Sequence, residues 1–251
     1  AQARQREHFE AFPEALAIAV TDDAFTPPAD SDAFVFTDLD HTLLGTGIVP
    51  AVRRFLSGRG PDTDTLLLPA RATVHAMAVT WCDPDPGTDL AALRPLRWSP
   101  PPQPFDLPQA CWRPLTAVTP VATIDFAHFA PNTQRIELPV VADGIADAIV
   151  YWYTLELGGA TLSTAPETAA GTLRPALQYL DAVPLRSGER FPVQVRIEDT
   201  RLSLLGDPPP SAPREDALPG WYPQMLADAA RDAAYGEAIA RAVQSHPADR
   251  V

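Results

Sequence analysis

Two aspartates stand two residues apart just after a short apolar run, in the segment DAFVFTDLDHTLLGTGIVP spanning 32–50. Asp38 and Asp40, followed by His41 and Thr42, form the pattern Asp-x-Asp-x-Thr. Acids placed this way at the end of a buried strand suit two kinds of chemistry. One is phosphoryl transfer, with Asp38 attacking phosphorus, Asp40 exchanging protons and a divalent cation neutralising the phosphate. The other is to hold a cationic group through charge-assisted hydrogen bonds. The position fits both, because ligands of doubly wound sheets sit at the C-terminal ends of strands.

The rest of the chain weighs against the first. Phosphoryl transfer of the haloacid-dehalogenase type, with Asp38 and Asp40 as its acids, needs a Lys on the phosphate. All 19 basic residues here are Arg, and Arg replaces Lys only with a change of geometry. The candidate for the metal-completing acid, Asp207, falls at the start of a Pro-rich stretch, and the middle of the chain does not resemble a phosphatase cap. A net charge of −13 disfavours nucleic acid, which requires a basic face. It suits a cationic partner such as an Arg-rich peptide, and equally plain solubility. Cys82 and Cys111 lack CxxC spacing, which argues against a zinc site and a disulfide framework. No apolar run reaches the ~18 residues of a membrane span, and no basic segment opens a signal peptide. The expectation is a soluble, cytoplasmic chain with neither nucleic-acid nor membrane partners.

The elements that must position the acids read as follows. Leu16–Val20, Ala33–Thr37 and Thr65–Leu68 are short apolar runs of buried-strand type, and a short helix covers Ile48–Leu56. Strand, loop, strand, helix, strand is half of a doubly wound α/β domain. After Pro69 the character changes. Ala72–Trp81 is extended, and 83–108 reads as a loop or arm. Short strands dominate Leu115–Leu205, including IVYWYTLEL (149–157) and the alternating FPVQVRI (191–197), as in an antiparallel sandwich or barrel. The prolines of 207–219 mark a linker, and Trp221–Val243 has helical periodicity with no evident core to cover.

Several of these segments together resemble the protein arginine methyltransferase family. TDLDHTLLGTGIVP (37–50) is similar to its acidic loop and following helix, and TLLLPARATVHAMAV (65–79) to its next strand and crossing into the barrel. DAIVYWYTLEL (147–157), LSTAPE (162–167), and LQYL (177–180) with Gly188-Glu189 are similar to its barrel region. The resemblance runs in order over 16–205, is partial and divergent, and is closest to the branch with two modules in tandem. It implies the C-terminal half of a Rossmann-like S-adenosylmethionine-dependent methyltransferase domain over 1–68. An antiparallel β-barrel that binds substrate would cover 69–206, and a linker with the entry helix of a second module 207–251. The fold class is thus α/β plus all-β.

The same resemblance implies S-adenosylmethionine as cofactor and an Arg-containing protein or peptide as substrate, with a second methyltransferase module or a homodimer as partner. Asp38 takes the first acid position. Thr46, in Gly45-Thr46-Gly47, stands near the second, and Asp40 is a compensating acid. Asp22 and Asp23 follow a strand where the family places an acid near the adenine. The glycine-rich donor turn has no counterpart before residue 16 or elsewhere, so the donor site reads as incomplete. The barrel's Thr-His-Trp position reads Gly171-Thr172-Leu173. Activity of this chain alone therefore stays open, beside a scaffold or regulatory subunit that pairs with a chain carrying the donor loop. His75 reads as a barrel histidine, His128 as structural, and His41 as the one histidine near the acids.

Overall fold

The computed structural model describes residues 33–57, 59, 65–81, 103–104, 112–167, 173–207, 225 and 228–245. The expected strand at Leu16–Val20, the acids Asp22 and Asp23, both cysteines and most of 83–108 lie outside these.

The described residues open with strand β1 (Ala33–Val35), helix α1 (Ile48–Ser57) and strand β2 (Leu66–Leu68). β1 and β2 pair in parallel, Ala33 to Leu66 through Val35 to Leu68, and Phe36 N–H extends the ladder to Leu68 C=O at 2.8 Å. Parallel neighbours require a crossover, and α1 supplies it. The helix starts two residues before Pro50, because proline is tolerated in a first turn whose N–H groups have no helical partner. Its buried face is Ile48, Val49, Val52 and Phe55, the i, i+4, i+7 spacing of an amphipathic helix.

A cis Leu68–Pro69 bond leads into strand β3 (Arg71–Trp81). Then follow β4 (Gln103–Pro104), β5 (Trp112–Pro114), β6 (Thr119–Asp125), β7 (Asn132–Pro139), β8 (Gly144–Leu157), β9 (Ala160–Ser163), β10 (Ala176–Leu185), β11 (Arg190–Glu198) and β12 (Arg201–Gly206). Seven strands form one sheet, in the order β4-β10-β8-β3-β5, with β6 also on β3 and β9 on β8; β12-β11-β7 form another. All these pairings are antiparallel. The sheets join at their margins. Thr116 bridges to Val140, Gln134 Nε2 donates to Val121 C=O at 2.7 Å, and Leu204 N–H donates to Gln178 Oε1 at 3.1 Å. The result is a curled, barrel-like sheet system, as the alternating segments predict.

One apolar core fills it. Val74, Ala76, Ile149 and Tyr151 from the larger sheet share it with Val193, Val195, Leu202 and Leu204 from the smaller. Leu43, Leu44 and the buried face of α1 belong to the same core. Alternate residues of β3, β8 and β10 bury a second cluster of Met77, Val79, Trp81, Val150, Trp152 and Tyr179. Two buried faces explain why β8 reads as a continuous apolar run rather than an alternating one. Helix α2 (Ala229–Ser245) buries none of its residues; Tyr235, Ile239 and Val243 lie exposed along it.

Candidate functional site

The acid loop leaves the C-terminal end of β1, where the ladder with β2 stops. Asp38 is exposed there. Asp40 is half-buried and folded inward: its Oδ1 accepts from Thr42 N–H at 2.8 Å and from Thr42 Oγ1 at 2.5 Å. Thr42 Oγ1 in turn accepts from Gly45 N–H at 2.9 Å. This is the local side-chain capping that Asp and Thr favour in turns. Leu43 N–H reaches Asp40 C=O at 3.2 Å, Leu44 N–H reaches Thr42 C=O at 2.8 Å, and Gly47 N–H closes on Leu44 C=O at 3.0 Å.

Two backbone positions of this loop carry positive φ, Leu43 at 66° and Gly47 at 90°. Glycine meets that conformation at no steric cost, whereas for leucine it costs about 1–2 kcal/mol. Leu43 is fully buried, and burying a leucine side chain contributes roughly 1.5–3 kcal/mol, so packing outweighs the strain. A strained non-glycine residue five positions after Asp38 marks the loop as over-determined by its surroundings.

The barrel supplies the floor beneath the loop. Tyr151 and Tyr153 are two residues apart on β8, both fully buried on the side of the larger core. Tyr153 Oη donates to Asp40 C=O at 2.6 Å, across 113 residues of sequence. Tyr151 Oη is buried without a hydrogen-bond partner among the described residues. Burial pushes both phenols well above their ordinary range, and the nearby Asp40 charge adds to this. Both tyrosines are therefore neutral donors at any physiological pH. Thr46 Oγ1 is likewise buried with no hydrogen-bond partner among the described residues.

The structure thus brings Asp38, Asp40, His41, Thr42 and Thr46 into one loop, with Asp38 presented to solvent and Asp40 committed to the turn. Asp22 and Asp23 lie outside the described residues. The tyrosine pair was not among the residues selected from sequence. The signal that could have found it is two tyrosines on one face of an otherwise apolar strand, since a buried hydroxyl needs a partner. His75 is cross-strand from Trp152 and stacks on it, with ring centroids 6.0 Å apart and 18° between planes. His128 is exposed on the turn after β6, with Nδ1 3.4 Å from Asp125.

A hollow of about 570 Å³ lies beside β2 and the start of β3, lined by Leu66, Arg71, Asp125, His128 and Glu156 among others. Arg71 sits between Asp125 at 3.8 Å and Glu156 at 3.7 Å. None of these is an acid-loop residue.

A parallel α/β piece with an acid loop at a strand end, seated on a curled antiparallel sheet, is the arrangement of a methyltransferase fold with a β-barrel. The structure of the Trypanosoma brucei PRMT1 enzyme-prozyme heterotetrameric complex with AdoHcy matches it with a TM-score of 0.55 at 17% identity, over 69% of this chain and 60% of that one. That likeness speaks to fold. In sequence, the arginine N(omega)-methyltransferase of Streptomyces achromogenes subsp. streptozoticus is 25% identical over 187 residues, 69% of this chain. The chain spans about half (51%) of that curated relative's length. No protein-family model matches. In sequence the chain is thus similar to an arginine methyltransferase, and in fold to a PRMT1 complex, each at a divergent level.

Proposed function

We propose that this chain is a module of an S-adenosylmethionine-dependent protein arginine N-methyltransferase, in which the acid loop receives the substrate guanidinium. In this reading 1–68 is the C-terminal half of a Rossmann-like domain, 69–206 the substrate-binding barrel, and 207–251 a linker with the entry helix of a second module. The observation that carries it is the seating of the acid loop, at the end of a parallel strand and bonded to barrel strand β8 through Tyr153 and Asp40. That seating occurs in a chain with a 25% identical arginine methyltransferase relative.

Asp38 is the residue that holds the guanidinium. Its carboxylate is exposed at the strand end and makes no ion pair among the described residues, so both oxygens are available for a bidentate pair. Asp40, with one oxygen committed to Thr42, contributes charge to the site more readily than a second fork. Thr46 adds a hydroxyl where an acid would complete the clamp.

The donor would be S-adenosylmethionine, supplying an electrophilic methyl group for in-line displacement. The described residues do not fit it by themselves. They hold no glycine-rich turn between a strand and a helix apart from Gly45–Gly47, which belongs to the acid loop, and Asp22 and Asp23 are assigned to the adenosine by resemblance alone. The donor pocket is therefore proposed to be completed by a further module, a partner chain or a second copy, and the acidic surface to steer an Arg-containing substrate toward it.

The test is calorimetry with S-adenosylmethionine and S-adenosylhomocysteine, followed by transfer of labelled methyl to an Arg-rich peptide. The expected result is weak donor binding by the chain alone, transfer in the presence of the completing module, and loss of about 100-fold or more with Asp38→Asn, the scale of a lost electrostatic positioning group. Mg²⁺-dependent phosphate-ester hydrolysis abolished by Asp38→Asn would overturn the reading in favour of phosphoryl transfer. The altered second acid favours one further reading, a module that completes an interface without catalysing. Donor and peptide binding without transfer, in the completed assembly, would establish it.

A further inference from the structure

We propose that Tyr153 is the positioning residue of the acid loop: from barrel strand β8 it fixes the carbonyl of Asp40 and thereby the direction in which Asp38 is presented. What the loop presents rests on the methyl-transfer reading; the clamp itself rests on geometry. Asp40 C=O accepts two hydrogen bonds, one from Leu43 N–H inside the loop at 3.2 Å and one from Tyr153 Oη outside it at 2.6 Å. The first ties the loop to itself. The second ties it to a strand that is buried on both faces and paired along its length with β3 and β10. Leu43, strained at φ 66°, sits three residues past the clamped carbonyl, so the clamp and the buried leucine hold the two sides of one turn.

The molecule contains its own control. Tyr151 lies one pleat away on the same face, is equally buried and feels the same Asp40 charge, but its hydroxyl has no hydrogen-bond partner among the described residues. Removing its hydroxyl deletes no hydrogen bond seen among the described residues, whereas removing that of Tyr153 deletes a bond by which the barrel holds the loop backbone.

The experiment is hydrogen–deuterium exchange by mass spectrometry on the full chain, comparing wild type, Tyr153→Phe and Tyr151→Phe, with thermal unfolding measured alongside. In Tyr153→Phe, exchange of peptides covering 43–47 accelerates about tenfold, the worth of one buried hydrogen bond, while β3 and β8 keep wild-type protection. Tyr151→Phe exchanges as wild type. A loop that exchanges no faster in Tyr153→Phe overturns the proposal. So does an equal acceleration in both variants, or one spread evenly over β3 and β8, which is what a merely structural residue would give.

Calorimetric titration with an Arg-containing peptide provides the second arm. Tyr153→Phe weakens binding about tenfold, and Asp38→Asn added to it costs much less than in the wild type, because both act through one loop. Fully additive effects overturn the positioning role. If the loop exchanges as expected but the wild-type assembly takes up no Arg peptide, the methyl-transfer reading fails while the clamp stands.

Discussion

The α/β piece and the barrel are built to different standards of burial. Barrel strands β3 and β8 are covered on both faces by two apolar clusters. Among the described residues the α/β piece has two strands of three residues each, with Val35 and Leu66 about half exposed. Parallel strands are usually covered on both sides, so these two described strands draw their support from elsewhere. The piece is anchored by Leu43, Leu44 and the inner face of α1 within the barrel's core and by Tyr153 on Asp40, while Arg53 meets Asp199 at the surface. The comparison teaches that the site's rigidity is borrowed. The acids lie on the weaker element, and the stronger one holds them.

The comparison is broken or upheld most directly by deleting equal volumes from the two sides. Leu204 and Leu44 are both fully buried. Each Leu→Ala change should cost about 2–5 kcal/mol at its site. Leu204→Ala is expected to lower the global melting temperature and the denaturant midpoint. Leu44→Ala is expected to appear mainly as faster amide exchange over 38–57, with barrel exchange little changed, since regions of low burial open first. Equal global loss from both would show a single cooperative unit.

A smaller effect tests the seam that closes the barrel. Gln178 is almost fully buried, and its Oε1 receives Leu204 N–H, joining β10 to β12. Gln178→Leu keeps the volume but orphans a buried N–H, costing about 1–3 kcal/mol. Urea denaturation should show a lower midpoint with an unchanged slope. A neutral result would mean that packing, rather than this bond, closes the seam.

Much of this frame is legible in the chain, for identifiable reasons. FPVQVRI alternates, and β11 buries Phe191, Val193, Val195 and Ile197 in step; period two is a local property and survives folding. β8 is harder. Its apolar run suggests a start at Ile149, but the strand begins at Gly144, because Gly, Ala and Asp interrupt the pattern. Asp147, which looks like a turn residue, instead accepts Trp81 N–H at 2.6 Å. At the site, Phe34 and Phe36 face inward, and the same alternation would turn Asp38 inward too. Asp38 is exposed because strand pairing ends at Phe36 and periodicity ends with it. The Asp40–Thr42 turn is readable from the residue types; its tether to Tyr153 is not, since pattern gives faces but not partners.

His75 tests the barrel's outer cluster through pH. Burial holds its imidazole below the ordinary value of about 6.5, so folding favours the neutral form. A depressed histidine contributes stability that is fully present above about pH 6.5, the unfolded value, and is lost as pH falls toward the folded one. Stability measured from pH 7.5 down to 5 should therefore fall less steeply in His75→Phe than in wild type. The difference between the two curves removes the contribution of the carboxylates they share. Parallel curves would mean that the ring charges freely beside Trp152.

The smallest effect concerns the most conspicuous ion pair. Arg53 of α1 reaches Asp199 in the β11–β12 turn through both Nη atoms, at 2.5 and 3.1 Å. The pair holds the Asp199 carboxyl below its usual range, chiefly through the hydrogen bond from Arg53, so what it contributes is present at neutral pH and fades as pH drops through the acid range. Both side chains are nonetheless open to solvent, 55% and 39% exposed, where Coulomb attraction is screened and two long side chains must be ordered. Arg53→Ala should leave the melting temperature at neutral pH and ordinary salt unchanged within error, and should not speed exchange over 38–57. That outcome would assign the hold on the acid loop to the buried leucines and Tyr153. An acceleration comparable with that of Leu44→Ala would move the anchor from the core to the surface, and the barrel would then grip the loop through α1 instead.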